Sequence, residues 1–297
     1  MIVDLPHPLA VVAHDAGAAN HIYAWLDGEQ ASVFLSGPAK EIWHERSGQI
    51  NQSNMEATIS KAALLITGTG WGSNLEHDAR RLARNLGIKS VAVIDHWTNY
   101  HERFSREGDQ VLPDEIWVSD PYALKIAQAT FPTINVVQQP NDYLSRMVAE
   151  VESQQTTGAV YGNDRVLYVL EPIRQAWGTL AIPGEFEALN YFMHHRALAH
   201  VAPNAEIRLR PHPSDPPGKY DAWLKSQVNP LIVLDSAPTL AASLAWANIV
   251  AGCQTYAMVL GLGCGRTVIS SIPAWAPPCI LPHLDIIRLS RLCEPSI

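Results

Sequence analysis

The chain alternates short apolar runs with stretches in which apolar residues recur at helical spacing. Runs such as Leu9–Ala13 have the length and uniform apolarity of buried parallel strands. Each run is followed by small or polar residues and then by a predicted helix, which is the order expected of a parallel sheet covered by helices. In the first half this pattern predicts strands at residues 9–13, 31–35, 62–67, 90–94, 115–119 and 134–137.

The alternation restarts after a polar stretch at residues 150–164, which we interpret as a linker. The second half has predicted strands at residues 166–170, 207–210, 231–234, 249–252 and 267–270. The fold class is therefore α/β, with two Rossmann-like domains of mostly parallel sheets that we expect to face each other across a cleft. We expect the domains at residues 1–155 and 156–282, and a C-terminal helix at 283–297 that can pack back on the first domain.

Composition supports two domains and excludes several classes of protein. The 297 residues are 47% hydrophobic, which is enough for two cores, and the net charge of −8 argues against general nucleic-acid binding. The four cysteines contain no Cys-x-x-Cys pair, so neither a zinc knuckle nor a disulfide framework is expected. The first residues contain no basic segment followed by an apolar one, which predicts a cytoplasmic protein without a signal peptide or transmembrane segment.

Three loops at predicted strand ends in the second half carry polar residues. Pro211 and Pro213 end the strand at 207–210 and hold His212 just past its carboxyl end, where ligands bind in open α/β sheets. The alternative is a rigid loop with an incidental surface histidine. A glycine turn at residues 252–255 opens a helix, whose free N–H groups favour an anion. These loops predict a nucleotide-phosphate site that needs no metal or cofactor, with the candidates Glu171, Arg174, Arg210, His212, Pro213, Gly252, Gln254 and Thr255.

Two loops in the first half carry groups suited to acid–base chemistry. His14 and Asp15 follow the first strand and precede small residues that let a ligand approach the backbone, although Asp15 can also be only a helix cap. No dinucleotide fingerprint of the type G-x-G-x-x-G is present there. Residues 95–104 combine carboxylates, histidines and three aromatics, a composition typical of a cleft wall. The candidates in this segment are Asp95, His96, Trp97 and Tyr100.

A further glycine-rich loop at residues 68–72 follows the third predicted strand. Ser73 and Glu76 have the spacing of a capping box and predict a helix through Leu86 that ends at Gly87. The glycines can either cradle an anion at the helix N-terminus or form only a tight turn.

Twin Rossmann-like domains with a His-Pro dipeptide after the second strand of the C-terminal half resemble bacterial glycosyltransferases of the GT-B fold. Here that dipeptide lies in Arg210-Pro211-His212-Pro213. The resemblance is greatest to enzymes with cytidine-nucleotide donors: sialyl- and polysialyltransferases, Kdo transferases and teichoic acid glycerophosphotransferases. In them the histidine contacts the donor phosphate, and a turn similar to residues 252–255 also binds it. Two features depart from the pattern: the sialyltransferase acidic motif ending in glycine has no match, and residues 257–260 replace a glutamate common in the last phosphate-binding helix.

The resemblance implies a metal-independent inverting glycosyltransferase. It would move a nonulosonic acid from a CMP donor to a surface-glycan or protein acceptor. Asp15 is then the first candidate for the base that deprotonates the acceptor, and Asp95 the second. His212 and Arg210 would stabilise the leaving nucleotide. The acceptor-binding candidates are His14, His96, Trp97 and Tyr100.

Two other functions remain open from the sequence. A non-hydrolysing UDP-sugar 2-epimerase shares the twin-domain fold, and residues 95–97 lie where that family carries a His-Val-Glu segment. A non-catalytic nucleotide-sugar-binding partner is the other alternative, because the glutamate of the phosphate-binding helix is missing.

Overall fold

The computed structural model describes residues 5–48, 52–70, 72–154, 163–174, 176–179 and 181–293. The chain forms two compact units, Met1–Tyr143 and Leu144–Ile297. Each unit contains one six-stranded parallel sheet, so the predicted α/β class with two Rossmann-like domains is confirmed. The boundary falls near the start of the helix Asp142–Gln154, upstream of the predicted linker. Residues 155–162 of that linker lie outside the described residues.

The first unit contains strands β1 to β8 and helices α1 to α5, and α6 begins at its end. The strands in chain order are Leu9–Ala13, Ala31–Leu35, Leu64–Thr67, Lys89–Val93, Ser105–Arg106, Asp109–Gln110, Glu115–Val118 and Asn135–Gln138. The helices are Ala16–Trp25, Gly37–Ser47, Met55–Ile59, Leu75–Leu86, Pro121–Thr130 and Asp142–Gln154, with a 3-10 turn at Glu102–Phe104.

The second unit contains strands β9 to β14 and helices α7 to α11. The strands are Arg165–Val169, Glu206–Arg210, Ile232–Leu234, Ile249–Gly252, Thr267–Ser270 and Ile287–Arg288. The helices are Gly184–His195, Asp221–Lys225, Leu240–Trp246, Tyr256–Gly263 and Leu289–Leu292, with a 3-10 turn at Arg196–Ala199. Within the ranges given above, no helix combines the length and the apolarity needed to cross a membrane.

Each sheet has a switch point near its middle, where the order of the strands reverses. The first sheet is ordered β2-β1-β3-β4-β7-β8 and the second β11-β10-β9-β12-β13-β14, so the reversals fall between β1 and β3 and between β9 and β12. In open parallel sheets, ligands bind at the carboxyl ends of the strands beside such a point. The loops after these four strands are therefore the places to look for function.

Apolar strands hold both sheets because their side chains alternate between two covered faces. Leu9 and Val11 of β1 pack against Trp25 of α1, whereas Ala10 and Val12 pack on the other face of the sheet. On β10 the alternation is visible in the sequence: Ile207 and Leu209 lie in the core. Their neighbour Arg208 lies over the ring of Trp246, with its Cζ 3.9 Å from the ring centroid.

Two predicted elements differ from the structure. The capping box at Ser73 does not form, because Asn74 takes the N-cap position and the Glu76 carboxylate bonds to loops of the sheet instead. Residues 283–293 are not one helix. Ile287, a β-branched residue, extends beside Ile269 as strand β14, and α11 is only four residues long.

The C-terminal stretch packs within the second unit. Leu289 is part of that unit's core, and Leu284 is 82% exposed, so the apolar residues of this stretch do not share one buried face. Residues 294–297 of the predicted helix lie outside the described part of the chain. Helix α3 and the β5–β6 hairpin were not predicted from the sequence.

Gly87 offers a test of the predicted end of α4. It adopts a left-handed conformation with φ of 69°, and no atom lies within 4 Å of the position of an added Cβ. We expect Gly87→Ala to lower the free energy of unfolding by about 1 kcal/mol through backbone strain alone, and Gly87→Asn by less. Chemical unfolding measures both variants, and equal stability of all three proteins would contradict the assignment.

Candidate functional site

Glu76 ties together the two loops at the switch point of the first sheet. Its Oε1 accepts the backbone N–H of His14 at 2.9 Å, and its Oε2 accepts that of Gly70 at 2.6 Å. Burial raises the pKa of this carboxyl, while the two N–H groups and the charge of Arg80 act in the opposite direction. Glu76 thereby holds the loop after β1 beside the loop after β3.

His14 and Asp15 form a hydrogen-bonded pair in the first of these loops. His14 Nδ1 lies 2.5 Å from Asp15 Oδ1. A carboxylate only accepts, so Nδ1–H donates to Asp15, and a neutral His14 ring keeps its lone pair on Nε2. Asp15 takes the N-cap position of α1, but its side chain makes no capping hydrogen bond. Its pairing with His14 fixes the imidazole and one of the carboxylate oxygens.

Glycine backbone closely surrounds this pair. A Cβ atom added at Gly70 would overlap the carboxylate of Asp15, and one added at Gly37 would lie 2.7 Å from His14 Nε2. Since any side chain at these positions would displace the pair, the glycines of these loops are needed for the close approach.

Asp95 lies in a different environment, although β4 places it at the same edge of the sheet. Its Oδ1 forms an ion pair with Arg103 Nη1 at 3.1 Å, and Arg103 is buried and also bonds to Thr69. Its Oδ2 lies against Gly17, where an added Cβ would overlap it. Asp95 therefore joins α1 to the segment that carries Arg103.

The aromatic side chains of residues 95–104 lie mostly inside the first unit. Trp97 and Tyr100 are buried; the indole Nε1 donates to the Asp120 carboxylate, and the phenol donates to the carbonyl of Ala123. Burial raises the pKa of Tyr100 and lowers that of His96, with the charge of Asp95 acting against the second shift. If Trp97 and Tyr100 contact the acceptor as predicted, they do so with side chains that are largely buried in the first unit.

Glu171 bridges the two loops at the switch point of the second sheet. Its Oε2 accepts the backbone N–H of Gln254 at 3.0 Å, and burial raises the pKa of its carboxyl against the opposing effect of that N–H. The Gln254 side chain in turn accepts the N–H of Ile280, and the Thr255 side chain caps α10. Gly252 permits close packing, because an added Cβ would lie 2.7 Å from the Val169 oxygen.

His212 has a defined ring orientation at the end of β10. Its Nδ1 accepts the backbone N–H of Ser214 at 3.1 Å and lies 2.8 Å from the Ser214 hydroxyl oxygen. Burial lowers the pKa of the imidazole; the charge of Asp215 opposes this, and the charges of Arg174 and Lys219 reinforce it. The ring is therefore neutral at pH 7, and because Nδ1 accepts, its proton lies on Nε2.

Arg174 is, with Lys219, one of the two cations whose charges act on His212. Its backbone is left-handed, with φ of 55°, and its N–H donates to Glu185 Oε2 at 2.7 Å. Its side chain is exposed, and among the residues that the structure describes it has no ion-pair partner. A cation close to an oriented N–H donor is an arrangement suited to an anion.

The Arg210 side chain belongs to a separate set of hydrogen bonds. The Arg210 guanidinium bonds to Asp235 at 2.6 Å, and also to Ser243 and to the carbonyl of Ala237. It therefore holds the end of β11 and helix α9, and Pro213 is exposed beside His212. The structure thus brings together Arg174 with His212, Glu171 with Gln254, and His14 with Asp15.

Sequence reasoning missed several residues that position these groups: Glu76, Arg103, Glu185, Asp215 and Lys219. Asp215 and Lys219 have the i,i+4 spacing of an ion pair, which is a weak sequence signal. Glu76, Arg103 and Glu185 bond to residues outside their own helical turn, and no local pattern indicates these bonds.

Comparisons with known proteins identify the fold. No protein-family model matches this chain, and no curated protein matches it. Among solved structures, the UDP-GlcNAc 2-epimerase of Neisseria meningitidis bound to UDP-GlcNAc is 10% identical with a TM-score of 0.60, covering 88% of this chain and 82% of that one. The S. aureus MnaA–UDP structure is 10% identical with a TM-score of 0.61, covering 88% and 78%.

A third solved structure gives the same picture. The UDP-GlcNAc 2-epimerase of Methanocaldococcus jannaschii is 11% identical with a TM-score of 0.58, covering 88% of this chain and 83% of that chain. At such low identity the likeness concerns the fold alone. The shared fold has two Rossmann-like units of the GT-B type.

The buried carboxyl of Glu171 predicts a pH-dependent stability. Because its pKa is higher in the folded chain, the folded state binds more protons, and wild-type stability falls as pH rises from the ordinary value of 4.5 through the raised value. Glu171→Gln removes the titration but keeps an oxygen for Gln254. We expect the free energy of unfolding of the variant, relative to wild type, to increase with pH above about 4.5.

Urea unfolding between about pH 4 and pH 8 measures this difference. Glu152→Gln, which removes an exposed carboxylate of α6, is the matched control for the loss of one charge. A difference between Glu171→Gln and wild type that stays constant across this range would contradict the assignment of a raised pKa.

Proposed function

We propose that the chain binds a nucleotide-sugar by its phosphate in the second unit and transfers the sugar as a metal-independent inverting glycosyltransferase. The observation that carries the proposal is the orientation of His212. Its Nδ1 is held by Ser214, so that the Nε2–H is the donor left for a ligand, within reach of the Arg174 charge. Such a donor and cation stabilise negative charge that develops on a leaving phosphate. The ligands named for two structural relatives, UDP-GlcNAc and UDP, are compatible with this role.

The first unit supplies the base in this proposal. Of the two carboxylates that the sequence offers, Asp95 is ion-paired with the buried Arg103. Asp15 is instead paired with His14, whose Nε2 lone pair is not used by Asp15. The proton of the acceptor hydroxyl passes to the His14–Asp15 pair as the bond to the sugar forms and the nucleotide leaves.

A UDP-sugar 2-epimerase is the second candidate, and the names of two of the structural relatives favour it. That chemistry removes and returns the C2 proton and needs several carboxylates. Here Asp95 is ion-paired, and Glu76 is buried and bonded to two backbone N–H groups. A single imidazole–carboxylate pair suits the one proton transfer of an inverting sugar transfer better.

The donor in this proposal is a CMP-linked nonulosonic acid, and the acceptor is a surface glycan or a protein. The support for cytidine is the resemblance of residues 210–213 to enzymes that use cytidine-nucleotide donors. Uridine nucleotides are the competing class, because they are the ligands named for the structural relatives. No further cofactor takes part in this reaction.

A thermal-shift panel of CMP, CDP, UDP and GDP tests the donor. We expect CMP to raise the Tm most. A ligand at a hundredfold excess over its Kd stabilises a protein by about 2.7 kcal/mol, which is enough to detect as a shift in Tm. His212→Ala should abolish the shift, whereas His194→Ala, which removes an exposed histidine of the same unit, should preserve it. A shift with UDP alone would replace cytidine by uridine, and no shift with any nucleotide would refute nucleotide binding.

Substitution of the base tests the reaction. Asp15→Asn should lower the rate of sugar transfer by about 10²- to 10⁴-fold, the usual contribution of general base catalysis, and leave nucleotide binding intact. Asp95→Asn should mainly lower the Tm, because it leaves buried Arg103 without its carboxylate. Transfer at the wild-type rate by Asp15→Asn would contradict the assignment of the base.

Isotope exchange separates the competing functions. Incubation with UDP-GlcNAc in deuterated water, without an acceptor, should leave C2 unlabelled; deuterium at C2 would establish the epimerase and exclude the transferase.

A comparison of cellular glycans identifies a non-catalytic binding partner. In that case Asp15→Asn and Asp95→Asn would leave the cellular glycan unchanged, while loss of the whole protein would alter it.

A further inference from the structure

Three buried charged side chains connect the loops that carry Arg174 and His212. The ammonium group of Lys219 lies 2.6 Å from Glu185 Oε1 and 2.7 Å from Asp215 Oδ1. The side chain of Lys219 is 16% exposed, and those of Glu185 and Asp215 are 2% and 1% exposed. We call Glu185, Lys219 and Asp215 the charge triad. It lies within the second unit and does not include Glu171, the carboxylate at the switch point.

The outer oxygens of the charge triad hold the backbone on both sides. Glu185 Oε2 accepts the N–H of Arg174 at 2.7 Å, and Asp215 Oδ2 accepts the N–H of His212 at 3.1 Å. Pro211 and Pro213 have no N–H, so the His212 N–H is the donor that can anchor this part of the loop. The loop after β9 and the loop after β10 are thus joined through one ammonium group.

The two carboxylates depend on Lys219 to remain side by side. The bonds of Lys219 to Asp215 and Glu185 raise its pKa against the effect of burial. Asp215, in turn, has a lowered pKa in spite of burial, because Lys219, Tyr220 and the His212 N–H stabilise its charge. Lys219 and Asp215 are therefore both charged at pH 7. Two buried carboxylates without the ammonium group would repel each other and separate.

We propose that Lys219 is a positioning residue for phosphate binding. It does not contact the phosphate. It holds Glu185 and Asp215 together so that Arg174 and His212 can bind the same anion. This inference rests on the proposed function, because the anion is the phosphate of the nucleotide-sugar donor. It assigns a role to a lysine that lies outside the His-Pro segment and that carries no recognisable motif.

Charge and position predict opposite effects at Asp215, which makes the inference testable. Asp215→Asn removes a negative charge close to the site, so a purely electrostatic effect would strengthen the binding of an anion. If the charge triad positions the loops, the same variant weakens binding, because Lys219 and the His212 N–H lose their shared carboxylate. Lys219→Met weakens binding as well, and Lys219→Arg restores it in part by keeping a cation at the position.

The experiment measures the affinity of pyrophosphate and of CMP for the full chain by calorimetry. We expect about a tenfold or greater loss for Lys219→Met and for Asp215→Asn, the size associated with hydrogen bonds to charged groups. Lys225→Met, which removes an exposed lysine of α8, should bind like wild type. The ¹⁵N spectrum of the imidazole should show the Nε2–H form of His212 in wild type and a mixture of tautomers in Lys219→Met.

Each outcome has a distinct meaning. If Asp215→Asn binds pyrophosphate as tightly as wild type or more tightly, the positioning role is refuted while phosphate binding stands. If Lys219→Met does not fold, Asp215→Asn and Lys219→Arg carry the same test. If wild type binds neither pyrophosphate nor any nucleotide, the proposed function fails, and this result is distinguishable from failure of the inference alone.

Discussion

A buried carboxylate bridges the two loops at the switch point of each sheet, and the polar groups of both units depend on it. The ladder of hydrogen bonds ends with the strands, so the N–H groups just beyond need other partners. Glu76 supplies them to His14 and Gly70, and Glu171 supplies one to Gln254. A buried carboxylate is energetically costly unless N–H groups or cations surround it. Each bridge therefore satisfies both the carboxylate and the N–H groups beyond the strand ends.

These bridges determine which groups are left for chemistry. In the first unit, Glu76 fixes the backbone of His14, and the His14 ring then pairs with Asp15. Asp95, only two strands away, is drawn instead into the ion pair with Arg103. In the second unit, the charge triad adds a second layer of buried carboxylates, which holds Arg174 and His212. A chain of net charge −8 thereby presents a cation and an N–H donor at one sheet edge.

Much of the fold could be predicted from the sequence, because its signals are local. β1, β9 and β12 are short apolar runs, and burial on two faces requires that composition. His212 is predicted as a site residue because two prolines flank it. The helix predicted from residue 283 onward is wrong over residues 283–293, since β14 forms there by pairing with β13.

The details of the site could be predicted only in part, because its partners are far apart in sequence. Glu76 bonds to a residue 62 positions away, and Arg210 bonds to Asp235, 25 positions away. Trp97 and Tyr100 were assigned to a ligand because aromatics line clefts, but aromatics also fill cores. Residue type alone does not separate those two uses.

A crystal structure of the chain with a bound nucleoside phosphate would show whether His212 and Arg174 hold the phosphate. We expect a phosphate oxygen about 3 Å from Nε2 of His212, with the Arg174 guanidinium turned towards the same phosphate. Nδ1 of His212 should keep its bond from Ser214. A nucleotide whose phosphate lies away from the loop at residues 211–214, or that binds to the first unit, would refute phosphate binding by His212.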